Sequence, residues 1–208
     1  MPVTINGDGT ITGYTPAVAD GSVTSAKLAN GAVGTNQLAN GAATQAKRTY
    51  ASGEIIQTKF FQNITQYSNN SNTSPTTIIS GAITPTSSSN KIIITYHAQV
   101  AYQNGAQHCH VQIMKSGSVI DAARGVGTSA NNIGYNGNKV IYIANTDDNN
   151  RTGVSGSYSD TAGSTSAITY AIGINGNGSG SAYCHANRSA HSTGYGSSTE
   201  LILMEMQV

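Results

Sequence analysis

From about residue 50 onward, apolar and polar positions alternate with a period of two, the pattern of strands that bury one face. In KIIITYHAQVAY (91–102), one face would hold Ile92, Ile94, Tyr96, Ala98, Val100 and Tyr102, and the other Ile93, Thr95, His97 and Gln99. In HCHVQIM (108–114), Cys109, Val111 and Ile113 fall opposite His108, His110, Gln112 and Met114. Further strands are predicted at 77–83, 139–144, 167–174, 182–188 and 199–208. The runs NNSNTSP, TPTSSSN, NTDDNNRTG and NGNGSGS read as the loops between them. Eight or so short strands with such turns, and no helix of respectable length, make an antiparallel β-sandwich or jelly roll. The last strand is strongly apolar, and its Ile202, Met204 and Met206 exceed what a lone sandwich needs to bury. Packing between subunits would absorb them.

Ahead of this region the period changes. Residues 21–50 align as three decapeptides, GSVTSAKLAN, GAVGTNQLAN and GAATQAKRTY, with Gly21, Gly31 and Gly41 in register. Val23, Val33 and Ala43 match, as do Leu28 and Leu38, while the third block has Arg48 at the leucine position. Each block could form a short helical turn with Ser22 or its equivalent as cap and the next Gly as stop. A helix that short is marginal alone, and one Val and one Leu per block bury little within a single chain. Three chains side by side would close each set into a ring, so Val23, Leu28, Val33 and Leu38 are the expected core of a trimeric stalk. A linker without fixed structure is the competing reading, and helical and extended stalks both remain open. Residues 1–20 carry too few apolar groups, Val3, Ile5 and Ile11 among them, to form a domain. They read as an arm that gains order by lying against another protein. The expected division is therefore an arm at 1–20, a stalk at 21–50 and a head at 51–208.

Composition narrows the class. Of the 208 residues, charged ones are only 9%, against about 25% in average soluble domains. Uncharged polar residues must keep the surface wet, which suits a β-rich surface protein better than a cytosolic enzyme. The net charge is +1 and the ten Lys and Arg are scattered singly, so the basic patch that nucleic-acid binding requires is missing. No apolar run approaches a membrane span, and the N-terminus shows no export signal, so no membrane insertion is expected. Cys109 and Cys184 are read as buried small residues in strands; they can also pair, but their spacing does not demand it.

Particular pieces of the sequence resemble a known group. GSVTSAKLANGAV resembles the glycine-punctuated repeats of bacteriophage fibres and appendages, and MPVTINGDGTITG is similar to the starts of phage structural proteins, cyanophage ones included. ISGAITPTSSSNKIII, SGSVI, DTAGSTSAITYAI and SSTELILMEMQV look like the C-terminal heads of such proteins, with TPTSSSNKI and TELILMEM the most specific. The resemblance covers most of the chain. It implies a homotrimer with a jelly-roll head, like the globular heads of complement and tumour-necrosis-factor proteins. The implied place is the virion surface, as a tail fibre, tail-tip receptor binder or capsid-mounted head fibre, and no catalytic residues come with it.

Candidate chemistry is sparse. On a strand, His108 and His110 would point the same way, roughly 7 Å apart. Six imidazoles around a threefold axis could hold a transition metal, as in some phage fibre tips, but a polar strand face, exposed or at a subunit boundary, is the plainer reading because two ligands are far from a full set. No cofactor is otherwise expected. With 11 Tyr, 2 Phe and no Trp, the aromatics suit wet binding surfaces. Tyr183, His185, Arg188 and Tyr195 are the candidate receptor contacts, whereas Tyr96, Tyr102, Tyr142 and Tyr170 read as core or interface residues. Asp147, Asp148, Asn149 and Asn150 offer calcium-type oxygens but read as a polar turn. Nine acids without a pair at useful spacing, and no nucleophile elbow, phosphate loop or HExxH, argue against an enzyme. The expected protein is a trimeric tail fibre or tail-tip appendage that attaches a phage to its host's surface polysaccharide or protein, its arm held by other virion proteins. The alternatives are a capsid-mounted head fibre or decoration protein, and a soluble sugar-binding lectin.

Overall fold

The computed structural model describes residues 4–5, 7, 11–12, 24, 49–71, 73–103, 107–124, 139–143, 151–176, 183–188 and 196–208; the side chains of 4–5, 11–12, 102–108 and 139–143 are not part of that description. Contacts divide the chain into Met1–Thr49 and Tyr50–Val208. In the first unit, β1 (Thr4–Ile5) and β2 (Ile11–Thr12) pair antiparallel. The stalk residues Val23, Leu28, Val33 and Leu38 lie outside the described residues.

The second unit is a β-sandwich in which every described pairing is antiparallel. One sheet is built on β6 (Lys91–Gln103). Along one edge β6 pairs with β10 (Arg151–Thr161). Its other edge is shared between β13 (Thr199–Met206), which continues to β3 (Ile55–Asn63), and β12 (Tyr183–Ala186), which continues to β4 (Tyr67–Asn69). The second sheet runs from β5 (Thr76–Ile83) to β11 (Ile168–Asn175) to β7 (Gln107–Lys115), whose far edge pairs with β9 (Lys139–Ile143) and β8 (Ser118–Val119). Among the described residues the sole helical element is a 3-10 turn at Asp121–Ala123.

Alternation explains how the sheets face each other. Ile92, Ile94, Tyr96, Ala98 and Val100 of β6 are buried, together with Leu201 and Leu203 of β13. They meet Ile78, Ile83, Val111, Ile113, Tyr170, Ile172 and Ile174 of the second sheet in one core. Full burial of each large aliphatic side chain contributes about 1.5–3 kcal/mol. A slip of one residue in β13 would bring Ile202 and Met204 inside and turn Leu201 and Leu203 out, so burial sets the register. At one point the sheets touch through a glycine: any side chain at Gly81 would overlap the Phe61 ring.

Several expectations need correction. Cys109 and Cys184 are buried in strands as expected, and the pairing that their spacing left open is made: a disulfide ties β7 to β12 across the sandwich. The strand expected at 182–188 ends at Ala186, because Asn187 takes a positive φ of 55°, a conformation that Asn tolerates better than most residues. Residues 151–153, read as loop, begin β10, which matches β6 residue for residue from Arg151↔Ala101 to Thr161↔Lys91. Where its side chains are described, the polar face of β7 is not exposed but buried within the chain: His110 and Gln112 are 1% and 2% exposed. This is an internal strand, with β11 on one edge and β9 on the other, and both of its faces are covered.

Candidate functional site

The outward face of the β6 sheet carries two different surfaces. The first is apolar. In register, Ile202 stands between Phe60 on β3 and Thr95 on β6, and Met204 between Thr58 and Ile93. Phe60 is 59% exposed, and Ile93, Ile202, Met204 and Met206 are half-buried. The excess apolar face expected of the last strand is thus real, and β3 extends it.

The second surface lies at the other end of β6 and is built by β12. Cys184 and Ala186 point inward and are fully buried, the former fixed by its disulfide. Alternation therefore turns Tyr183 and His185 outward, with ring centroids 6.0 Å apart and planes tilted by 30°. Asn187 then turns the chain. Its amide donates to the Asn63 and Thr65 carbonyls, its side-chain oxygen accepts from the Thr199 hydroxyl, and its backbone N–H donates to the Gln99 carbonyl. With every one of these groups satisfied and Asn187 fully buried, the position of Arg188 follows from a rigid corner.

Across the sheet, His185, Ala101 and Arg151 form one row on this face. Ala101 is only 2% exposed, so its longer neighbours close over it. Burial, and after it the positive charge of Arg188, lowers the pKa of Arg151. Two guanidinium groups therefore share this end of the sheet. The Arg151 Nε and the nearby Gln99 Oε1 are enclosed and have no hydrogen-bond partner among the described residues. Next to Gln99, Gly153 has no side chain, and the His97 ring lies 3.4 Å from where its Cβ would be. Of the candidate receptor contacts, the structure brings Tyr183 and His185 together; Arg151, on the same row as His185, was not among them, because a lone Arg beside NTDDNN carries no periodic signal.

The remaining predicted sites fare differently. Tyr96 and Tyr170 are core residues, as their alternation implied, and burial raises the pKa of both. The Tyr170 hydroxyl donates to Asp160 at 2.7 Å, and Lys115 pairs with the same oxygen at 2.6 Å, joining the two sheets. Tyr195, the Asp147–Asn150 run and the side chains of His108, Tyr102 and Tyr142 lie outside the described residues. Among the described residues no group of three or more His, Cys, Asp or Glu is placed to hold a metal, and no helix is long and apolar enough to cross a membrane.

A third cluster joins the two motifs that are most specific in the sequence. Glu205 of TELILMEM is fully buried. Its Oε1 accepts hydrogen bonds from the Thr86 N–H, the Thr86 hydroxyl and the Asn90 amide of TPTSSSN, each at 2.7 Å, and Oε2 accepts from Gln57 at 2.7 Å. Burial alone would raise this carboxyl's pKa, but the donors from Gln57, Asn90 and Thr86 outweigh it and hold the group below its ordinary range. Its role is structural: no second carboxylate or open cleft accompanies it among the described residues.

No family model matches the chain, and no curated protein does. Among solved structures, the chain is similar to the sugar-binding C-terminal domain of EclA, with 14% identity, 66% of this chain and 79% of that chain covered, and a TM-score of 0.29. It is also similar to a structure of the Gx strain of infectious bursal disease virus, with 10% identity, 73% of this chain and 37% of that chain covered, and a TM-score of 0.32.

Proposed function

We propose that the chain is a structural virion protein: a homotrimeric phage tail fibre or tail-tip appendage whose head meets the host surface. The observation that carries this reading is the apolar outward face. Phe60 at 59% exposure beside Ile202, Met204 and Ile93 is contiguous apolar surface of the kind that marks an interface. A second and third copy of the chain are the occupants that fit, because the decapeptide stalk also needs neighbours to bury its Val and Leu. The strand order supports the finer reading of the head: a six-stranded sheet built on β6 faces a five-stranded sheet built on β11 and β7, with connections that cross between them, as in a jelly roll.

Analytical ultracentrifugation of the full chain, with antibody labelling of intact particles, tests the proposal. The chain should sediment as a trimer, and Phe60→Asp with Ile202→Asp should yield monomers that keep the sandwich spectrum. Label should fall on the tail; label on the shell would select the head-fibre or decoration alternative instead. A well-folded monomer absent from particles would overturn the reading. The outward Tyr183–His185 pair favours the soluble lectin as a second reading, and that alternative requires localisation to be indifferent to deletion of residues 1–50.

A further inference from the structure

We propose that the heads of the trimer pack through unlike halves of the outward face: Phe60 on β3 of one copy seats on the hydroxyl row along β10 of the next copy. This contact deepens the trimer reading and rests on it for its symmetry, since it names the surface of the neighbour that receives the apolar edge.

The register lays the outward face out in rows. Across β3, β13, β6 and β10, one row is Phe60, Ile202, Thr95 and Ser157, and the next is Thr58, Met204, Ile93 and Ser159. Relief changes from one edge to the other. Phe60 stands out at 59% exposure, whereas β10 turns only Gly153, Ser155, Ser157, Ser159 and Thr161 outward, all of them exposed. The β3 edge is thus a ridge and β10 a shelf. Good interfaces interdigitate at the density of a protein interior, so a ridge needs a shelf. One chain cannot satisfy itself: three strand spacings, about 14 Å, separate Phe60 from its own Ser157. A ring laid on the shelf of another copy leaves water, while hydroxyls at the rim stay wet.

The point of entry of the chain fixes the orientation. It enters the head beside the end of β13, where the Gly53 N–H donates to the Gln207 carbonyl and the Gln207 N–H donates to the Glu54 carbonyl. Copies whose decapeptide repeats run side by side therefore carry their heads parallel, with equal levels of the strands facing. At equal levels Gln62, Phe60 and Thr58 of one copy meet Ser155, Ser157 and Ser159 of its neighbour. Neither set carries a charge. In a closed ring of three, each copy offers two different surfaces, one to each neighbour. Ridge and shelf are those two surfaces, and Ile202, Met204 and Ile93 lie between them, toward the threefold axis.

The test is a cross-link in the full chain carrying Phe60→Cys and Ser157→Cys. A disulfide needs Cα atoms about 4.4–6.8 Å apart, so these two positions can be joined only between chains. On oxidation the double variant should run as covalent trimers on a non-reducing denaturing gel, and each single variant as monomers. Dimers from Phe60→Cys alone would mean that ridge meets ridge, and would overturn the proposal; so would a double variant that stops at dimers. Ser157→Arg gives a second reading, because the position is exposed in the head: the β-sheet spectrum should persist while the trimer dissociates in sedimentation. Ser80→Arg, at an exposed position of β5 in the other sheet, should leave the trimer whole. A Ser157→Arg trimer as stable as the parent would overturn the proposal. A parent trimer whose double variant does not cross-link sinks this inference alone, whereas a monomeric parent sinks the trimer reading with it.

Discussion

The two ends of β6 solve the same problem in opposite ways. At the Lys91 end a charge is taken inside: Glu205 is fully buried, and the four donors around it come from Gln57, Thr86 and Asn90. At the Gln103 end no charged side chain among the described residues is buried whole. The Cys109–Cys184 disulfide holds β12 covalently against the second sheet, and the half-exposed Tyr183 and His185 face outward on the side of the sheet that carries Arg151. One end closes its polar groups on each other and gains order. The other takes its order from a covalent link and keeps its charged side chains half-exposed at the surface. Satisfied buried groups stabilise a fold, so the two ends should answer differently to the loss of what holds each of them.

The largest effect is expected where the open end depends on its link. The disulfide closes a loop with a sequence separation of 75; on the chain-entropy estimate this contributes about 4.5 kcal/mol. Reduction, or Cys109→Ala with Cys184→Ala, should lower the thermal midpoint of the head by roughly 10–15 °C, read by calorimetry. Hydrogen exchange should show the loss of protection concentrated in β12 and its partners β4 and β6, with Glu205's surroundings affected only at global unfolding. Uniform loss at both ends would mean that the ends are not independently held.

The next effect belongs to the closed end. Glu205→Gln keeps the shape but sets an amide N–H₂ against donors, leaving at least one of them unpaired in the interior. The expected cost is about 3 kcal/mol, from lost charged hydrogen bonds and an unsatisfied buried donor. Acid supplies an independent check. Because the folded carboxyl's pKa is depressed, its stabilisation is complete above the unfolded value of about 4.3 and is lost as pH falls through the lower folded value. Denaturant midpoints should therefore hold steady from neutral pH to about 5 and fall below about 4, more steeply in the wild type than in Glu205→Gln. A wild type and a variant with parallel acid profiles would show that the carboxylate contributes nothing.

How far these ends could be read in advance follows from periodicity. β6 and β13 announced themselves through strict alternation, and the face assignments for Ile92, Ile94, Tyr96, Leu201 and Leu203 hold in the structure. Even Glu205 could be placed on the inward face from its spacing to Leu201 and Leu203, but its donors lie more than a hundred residues away in sequence, so nothing local revealed the cluster. The strand β10 escaped notice because RTGVSGSYSDT contains one large aliphatic residue, Val154; its identity as a strand comes from β6 alongside, not from its own propensity. With β10 unread, Arg151 could not be set beside Ala101 and His185. The buried His110 and Gln112 were misjudged for a related reason: alternation predicts one wet face, and a strand covered on both sides breaks that rule.

The smallest expected effect sharpens the contrast most, because its sign is reversed. Glu205 and its donors are coupled favourably, so removing either partner costs stability. Arg151 and Arg188 are coupled unfavourably, so removing one relieves the other. Arg188→Gln should therefore cost less in the wild type than in an Arg151→Gln background, by no more than about 0.5 kcal/mol, as for surface changes in general. A double-mutant cycle by urea unfolding isolates this term, and repeating it in high salt should shrink it, since both side chains are half-exposed and solvent ions screen them. If Arg188→Gln cost the same in both backgrounds, the two guanidiniums would not feel each other, and the reversed sign that sets this end apart from Glu205 would be gone.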